Sequence, residues 1–99
     1  LECADIKIAY GCDYDAGLNN LTINNTGLHS IKKMLVRETK GSQQSAILEI
    51  ELKPRGSLSL NENYIPYNSD KEYGIVPLVA AETSNKIYMC KEKGIIVKC

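Results

Sequence analysis

The sequence predicts an all-β sandwich stapled by disulfides, and three observations carry that expectation. Apolar and polar residues alternate with period two in short runs along the whole chain, the pattern of strands with one buried face. Turn residues separate these runs at intervals of about 8–12 residues, the rhythm of packed sheets. Four cysteines fall into two pairs with equal nine-residue separations, Cys3/Cys12 and Cys90/Cys99. An even set in so short a chain reads as disulfides formed in an oxidising compartment.

The elements follow in order. Ala4–Tyr10 alternates Ile6, Ile8 and Tyr10 with Lys7 and Ala9 and reads as a strand. Asp13–Asn19 has turn chemistry. Leu21–Asn25 alternates again and is stopped by Asn25-Thr26-Gly27. Ile31–Thr39 is a third strand, although Lys32-Lys33-Met34-Leu35 has a trace of helical pattern. Ala46–Lys53 is the clearest strand, with Ala46, Leu48, Ile50 and Leu52 on one face, and Pro54-Arg55-Gly56 ends it. Ser57–Leu60 alternates briefly. Asn61–Asp70 is polar and reads mainly as loop. Tyr73–Ala81 is apolar, and Pro77 inside it indicates an edge strand or a bulge. Lys86–Cys90 and Ile95–Cys99 flank Lys91-Glu92-Lys93-Gly94 and read as a hairpin, with Gly94 supplying a positive φ. Seven to eight short strands with almost no amphipathic helix point to an Ig-like sandwich of two sheets.

Ninety-nine residues make one domain, residues 1–99, with a core of modest size. All six aromatics are Tyr, with no Phe or Trp, so Ile, Leu and Val must build that core. Twelve basic residues balance twelve acidic ones. A nucleic-acid partner is not expected, because binding a phosphate backbone calls for a basic excess. No apolar run approaches the ~20 residues that span a bilayer. The chain opens at Leu1 without an initiator Met, so we expect that a leader has been removed or that these residues come from something larger.

The cysteine spacing constrains the bridges. Nine residues of extended chain span ~30 Å, whereas bridged Cα atoms lie within ~7 Å, so Cys3 cannot reach Cys12 across a strand. In a hairpin about Lys91–Gly94, Cys90 faces Ile95 and Cys99 faces Lys86, which separates that pair too. The bridges should therefore join the N-terminal strand to the C-terminal hairpin. Two pairings remain: Cys3–Cys90 with Cys12–Cys99, or Cys3–Cys99 with Cys12–Cys90. Parallel first and last strands, common in Ig-like sandwiches, favour the former.

Other constellations are sparse. Asn20-Leu21-Thr22 and Asn24-Asn25-Thr26 are N-x-[ST] acceptors for glycan, and alternation turns Asn20 and Asn24 away from Leu21 and Ile23. Asp13-Tyr14-Asp15-Ala16-Gly17 has a faint calcium-loop look, but Asn24 stands where a bidentate Glu would close such a loop, and the segment reads as a turn. His29 has no Cys or Asp partner in local register and reads as a loop residue. No zinc knuckle, Gly-rich phosphate loop or serine elbow is present in the sequence, and we expect no metal, no cofactor and no enzyme. The tyrosines either finish the core edges or form a contact patch.

Leu21-Thr22-Ile23-Asn24-Asn25-Thr26-Gly27, a strand closing on Asn-Thr-Gly, resembles the extracellular β-sandwich domains of archaeal pilin-like and archaellum-associated surface proteins. Leu52-Lys53-Pro54-Arg55-Gly56-Ser57 is similar to their Leu-x-Pro-Gly turn, with Arg55 inserted. Ile75-Val76-Pro77-Leu78-Val79 resembles their late Val-x-Pro strand, and Cys90 to Cys99 their closing Cys-bounded strand. The resemblance spans about Ala4 to Cys99. It implies a non-catalytic extracellular module at the cell surface that acts in assembly or adhesion through protein partners or self-assembly, and that meets the membrane only through a preceding N-terminal helix. The alternative expectation is a small secreted inhibitor or toxin-like binding protein using a loop such as Asn61–Asp70 on a disulfide frame.

Overall fold

The computed structural model describes residues 3–15, 18–40, 45–81 and 83–99. Among the described residues eight strands form two antiparallel sheets. β1 (Ile8–Asp15), β2 (Leu18–Asn25) and β5 (Ser57–Ser59) make a three-stranded sheet in the order β1-β2-β5. β4 (Ser45–Leu48), β3 (Lys33–Glu38) and β6 (Tyr73–Ala80) begin the second sheet, and β7 (Ile87–Met89) and β8 (Ile95–Val97) both pair with the far side of β6. One helical turn, α1 (Leu60–Asn63), follows β5. Ile8, Leu21, Ile23 and Leu58 from the first sheet meet Met34, Val36, Leu48, Tyr73, Ile75, Val79 and Val97 from the second in one buried cluster. The fold is all-β and stapled by two disulfides.

Alternation placed the faces correctly wherever both sheets are present. Leu21 and Ile23 are fully buried between half-buried Asn20, Thr22 and Asn24. From Ser45 to Lys53 burial alternates residue by residue, yet the ladder with β3 is not continuous. Met34↔Leu48 ends β4, and an isolated bridge Ile31↔Leu52 resumes the pairing. Three residues, Glu49–Glu51, oppose two, Lys32 and Lys33, which is a bulge that bends the chain toward the first sheet. Ion pairs Lys33–Glu49 (3.1 Å) and Lys32–Glu51 (3.7 Å) span it.

The expected turn over Asp13–Asn19 is corrected. β1 runs through Asp15, and its ladder with β2 extends from Ile8↔Asn25 to Asp15↔Leu18. Residues 16 and 17 of that expected turn lie outside the described residues. The first strand likewise starts at Ile8, because Cys3–Asp5 form a turn closed by Ile6 N–H donating to the Cys3 carbonyl. Gly11–Tyr14 are all exposed. Ladder hydrogen bonds to β2 hold these exposed residues in strand form. Leu60, expected at the end of a strand, is instead the fully buried start of α1.

A second correction concerns Pro77 and the C-terminal hairpin. β6 is flanked by β3 on one side and by β7 and β8 on the other, so Pro77 lies in a central strand. β7 and β8 do not pair with each other; both run antiparallel to β6 as one interrupted edge strand. The proline accounts for the interruption. Cys90 N–H donates to the Pro77 carbonyl at 2.9 Å, but proline has no N–H to return. The Cys90 carbonyl accepts instead from Lys93 N–H at 3.0 Å, and Lys91–Lys93 coil into a 3₁₀ turn. Gly94 has φ −67°, not a positive value. It is needed for closeness, since a Cβ there would stand 3.1 Å from the Ile75 carbonyl oxygen.

Asn25 joins three segments. Buried to 1% exposure, its amide donates to the carbonyls of His29 and Leu52 and accepts from Gly27 N–H. Its backbone bonds Gly56 and Arg55. Gly27 packs against the N-terminal segment so closely that a Cβ would meet the Asp5 carbonyl oxygen at 2.4 Å.

Cys3 bonds Cys90 and Cys12 bonds Cys99, with Cα separations of 5.7 and 5.8 Å and sequence separations of 87 in both cases. Equal offsets mean that the two segments run parallel. They tie the β1 rim of one sheet to the β7–β8 rim of the other. Closing one loop of this length stabilises by about 4–5 kcal/mol in the chain-entropy model. With one bridge in place, the second closes only a ring of about 20 residues, for roughly 3 kcal/mol. Replacing either pair by serine is therefore expected to cost about 3 kcal/mol, and removing the remaining pair afterwards about 4–5 kcal/mol, measured by urea unfolding of single- and double-bridge variants.

Candidate functional site

The densest cluster of chemically active side chains lies beneath the segment from Tyr64 to Glu72. Period two along β3 puts Glu38 on the same inward face as Met34 and Val36. Glu38 is 5% exposed, and Lys71 Nζ reaches its Oε1 at 2.6 Å from the loop above. Thr39 fastens the adjoining residue, its hydroxyl donating to Glu72 Oε1 at 2.7 Å and its N–H to the Glu72 carbonyl at 3.1 Å.

Three tyrosines complete the cluster. Tyr73 is fully buried, meets Tyr64 edge-on at 5.7 Å and stacks on Tyr67 at 5.4 Å between ring centroids. The Tyr73 hydroxyl accepts from Asn68 N–H at 2.8 Å. Asn68 in turn holds the loop through its side-chain oxygen, which accepts from Asp70 N–H, and its carbonyl, which accepts from Lys71 N–H. The Tyr67 hydroxyl is buried with no hydrogen-bond partner among the described residues.

The electrostatics tighten the clamp. The hydrogen bond and charge of Glu38 raise the Lys71 pKa, which keeps its ammonium protonated. Burial, then the neighbouring Tyr73, raises the pKa of both Tyr64 and Tyr67, and Glu38 adds to the rise at Tyr64. A lysine or tyrosine recruited as a base near neutrality needs the opposite shift. The arrangement presents Ile65, 87% exposed, at the apex of a turn closed by Tyr67 N–H donating to the Tyr64 carbonyl. The loop is thus pinned on both sides of one outward apolar residue.

The residues singled out in the sequence lie elsewhere. The four cysteines meet as two structural bridges. Asn20 and Asn24 occupy alternate positions on the outer face of the three-stranded sheet. Their side-chain oxygens accept from Ser59 and Ser57 hydroxyls at 2.8 and 2.7 Å, so each amide is oriented by a neighbouring strand. His29 is a loop residue, but it has a partner that local register did not reveal: Asp5, at 3.4 Å. Asp13 and Tyr14 belong to β1. The tyrosines divide: Tyr64 and Tyr73 are core, whereas Tyr10, Tyr14 and Tyr88 are exposed.

The Glu38–Lys71 pair was missed because it is non-local. The available signal was the position of Glu38 two residues beyond Val36 on an apolar face. β7 was expected to be half of a hairpin; it is instead an open edge on which Ile87, Tyr88 and Met89 are all exposed. No helix among the described residues is long and apolar enough to cross a membrane. Comparison with protein-family models, with curated proteins and with solved structures finds no match.

Two predictions follow from the clamp. Tyr64, Tyr67 and Lys71 all have folded pKa values above their ordinary values of 10.0, 10.0 and 10.5. Their contribution to stability is complete below those ordinary values and is lost as pH rises through the higher folded ones. Urea midpoints measured from pH 8 to about 12 should hold steady to about 10 and then fall, with tyrosinate absorbance rising as they do. Tyr67→Phe removes an unpaired hydroxyl and should leave stability unchanged or raise it by up to about 1 kcal/mol, whereas Tyr73→Phe should lower it by about 1 kcal/mol. Paired denaturant titrations distinguish the two.

Proposed function

We propose that this chain is a non-enzymatic, extracellular, Ig-like structural or adhesion module, the soluble domain of a pilin-like or other surface-appendage protein. The observation that carries the reading is the covalent closure of one whole side of the molecule. Both bridges join sheet rims, and the chain they brace extends 45 Å along its longest axis. A disulfide-closed unit of this kind suits an oxidising exterior, where disulfides form and persist. The resemblance in Leu21–Gly27 and in Cys90–Cys99 supports the archaeal surface-protein assignment. Its partners are proteins or further copies of itself, and Asn20 and Asn24 are its acceptor positions for glycan.

A second reading has one observation in its favour. Ile65 protrudes from a loop locked by Tyr64, Tyr67 and Asn68, as the contact residue of a small secreted inhibitor or toxin-like binder would. The two readings separate in the source organism. A strain lacking the gene should lose surface filaments or attachment; normal appendages and normal attachment would refute the first reading. Neighbouring genes for appendage assembly support the first, and a neighbouring protease or immunity gene supports the second.

A further inference from the structure

The rim of the five-stranded sheet at β7 differs from the rim at β8. β8 lies beside β1 under the Cys12–Cys99 bridge. β7 pairs with β6 alone, and its three side chains are all apolar and exposed: Ile87 42%, Tyr88 39% and Met89 40%. The ladder fixes which backbone groups are free. Ala81 N–H donates to the Lys86 carbonyl and Cys90 N–H to the Pro77 carbonyl, in register with Val79↔Tyr88. Hydrogen-bonded pairs alternate along an antiparallel ladder. Tyr88 therefore turns its N–H and C=O toward Val79, while Ile87 and Met89 turn theirs outward, where no described residue bonds them. Natural sheets usually guard such an edge with charge, proline or a cover. Here the charges, Lys86 and Lys91, stand beyond the strand ends.

We infer that β7 pairs antiparallel with β7 of a second copy about a two-fold axis through Tyr88. This deepens the assembly reading above and rests on it. The register is self-complementary. With Tyr88 opposite its twin, Ile87 of each copy faces Met89 of the other, and both residues offer an outward N–H and C=O. Each such pair exchanges two hydrogen bonds, the arrangement of a closely spaced antiparallel pair. A slip of one residue would set outward groups against inward ones. In the same register Lys86 falls opposite Cys90, so its charge meets no like charge across the pair. The side chains agree. Ile87 and Met89 lie on the outer face beside Ala80 and Leu78, and pairing groups them with their twins into one apolar cluster. The contact is isologous and closes at two copies. The formal net charge of zero adds no repulsion between them.

Sedimentation equilibrium of the oxidised protein over a concentration series tests this. A reversible monomer–dimer equilibrium is expected. Met89→Pro removes an outward donor and leaves the Tyr88–Val79 ladder intact; Ile87→Lys places charge in the cluster. Each should weaken the dimer about tenfold or more, with circular dichroism and bridge mapping confirming the fold. Ile47→Lys, at an equally exposed position on the opposite rim in β4, should leave the equilibrium unchanged. Tyr88→Cys should yield a covalent dimer in a glutathione buffer, because residues at a two-fold in a non-hydrogen-bonded pair have Cβ atoms only ~5 Å apart. A protein that stays monomeric at every soluble concentration and does not cross-link overturns the inference. So does a dimer that Ile47→Lys breaks and the β7 variants spare. A monomer whose deletion strain still loses attachment overturns the β7 dimer and leaves the surface-module reading standing; a β7 dimer whose deletion strain attaches normally does the reverse.

Discussion

Cys3–Cys90 and Cys12–Cys99 cross from the rim of one sheet to the rim of the other at the same offset, and most of the remaining architecture depends on that double tie. A 99-residue chain with no Phe or Trp separates its two sheets mainly with Ile, Leu and Val, which supply less buried area per side chain than aromatic rings do, and only Tyr64 and Tyr73 add buried rings to that core. Sheets so thinly filled are prone to part at the rims, where the fewest neighbours hold them. On the bridged side, two covalent links prevent parting. On the other side the chain itself crosses from β4 to β5, and buried Asn25 draws the Leu52 carbonyl, Arg55 and Gly56 against the end of β2. One side is closed by sulfur and the other by a fully satisfied buried amide, and the small core works because neither side is left open.

Pro77 shows how one residue propagates. In the middle of a sheet it would ordinarily forfeit a ladder bond. Here the forfeited bond falls opposite Cys90, whose carbonyl turns into a 3₁₀ turn and splits the last strand into β7 and β8. The split separates two tasks. β8 continues beside β1 to the Cys12–Cys99 bridge, while β7 is left with its edge and all three side chains toward solvent. Had residue 77 carried an N–H, one continuous edge strand through Cys90 would have matched the alternation of Lys86–Cys90 and Ile95–Cys99 better than a bulge does.

What was legible in the sequence was whatever alternation and covalent spacing control. Leu21 and Ile23, Met34 and Val36, and the even positions from Ala46 to Leu52 all face inward as period two requires. Two features were illegible for physical reasons. Asp13–Asn19 looked like a turn because polar residues are common in turns, but Asp13 and Tyr14 sit exposed in β1, and an exposed stretch of ladder has no apolar alternation to advertise it. Lys91-Glu92-Lys93-Gly94 looked like a hairpin tip because glycine often marks positive φ. Gly94 instead answers a steric demand from the Ile75 carbonyl, and nothing local encodes a contact with a residue on another strand. Glu38 and Lys71 are a third instance. Each is an ordinary charge in its own segment, and only the docking of the 64–72 loop brings them to 2.6 Å.

The clamp and the edge belong to one argument about how such a molecule makes contacts. The clamped loop keeps its lysine charged and its tyrosines neutral, and its rigidity lowers the entropy lost when a surface is engaged. With no net charge, distant partners are not steered toward it. Association then depends on short-range features, and the β7 rim combines exposed apolar side chains with backbone groups that no described residue bonds. An edge of three residues is too short to hold free proteins together at high dilution, since docking entropy outweighs a few hydrogen bonds. Copies confined to one surface meet at far higher effective concentration, and there the same short edge suffices. A weak, self-complementary contact that closes at two copies is therefore matched to pairs of domains held side by side on one surface.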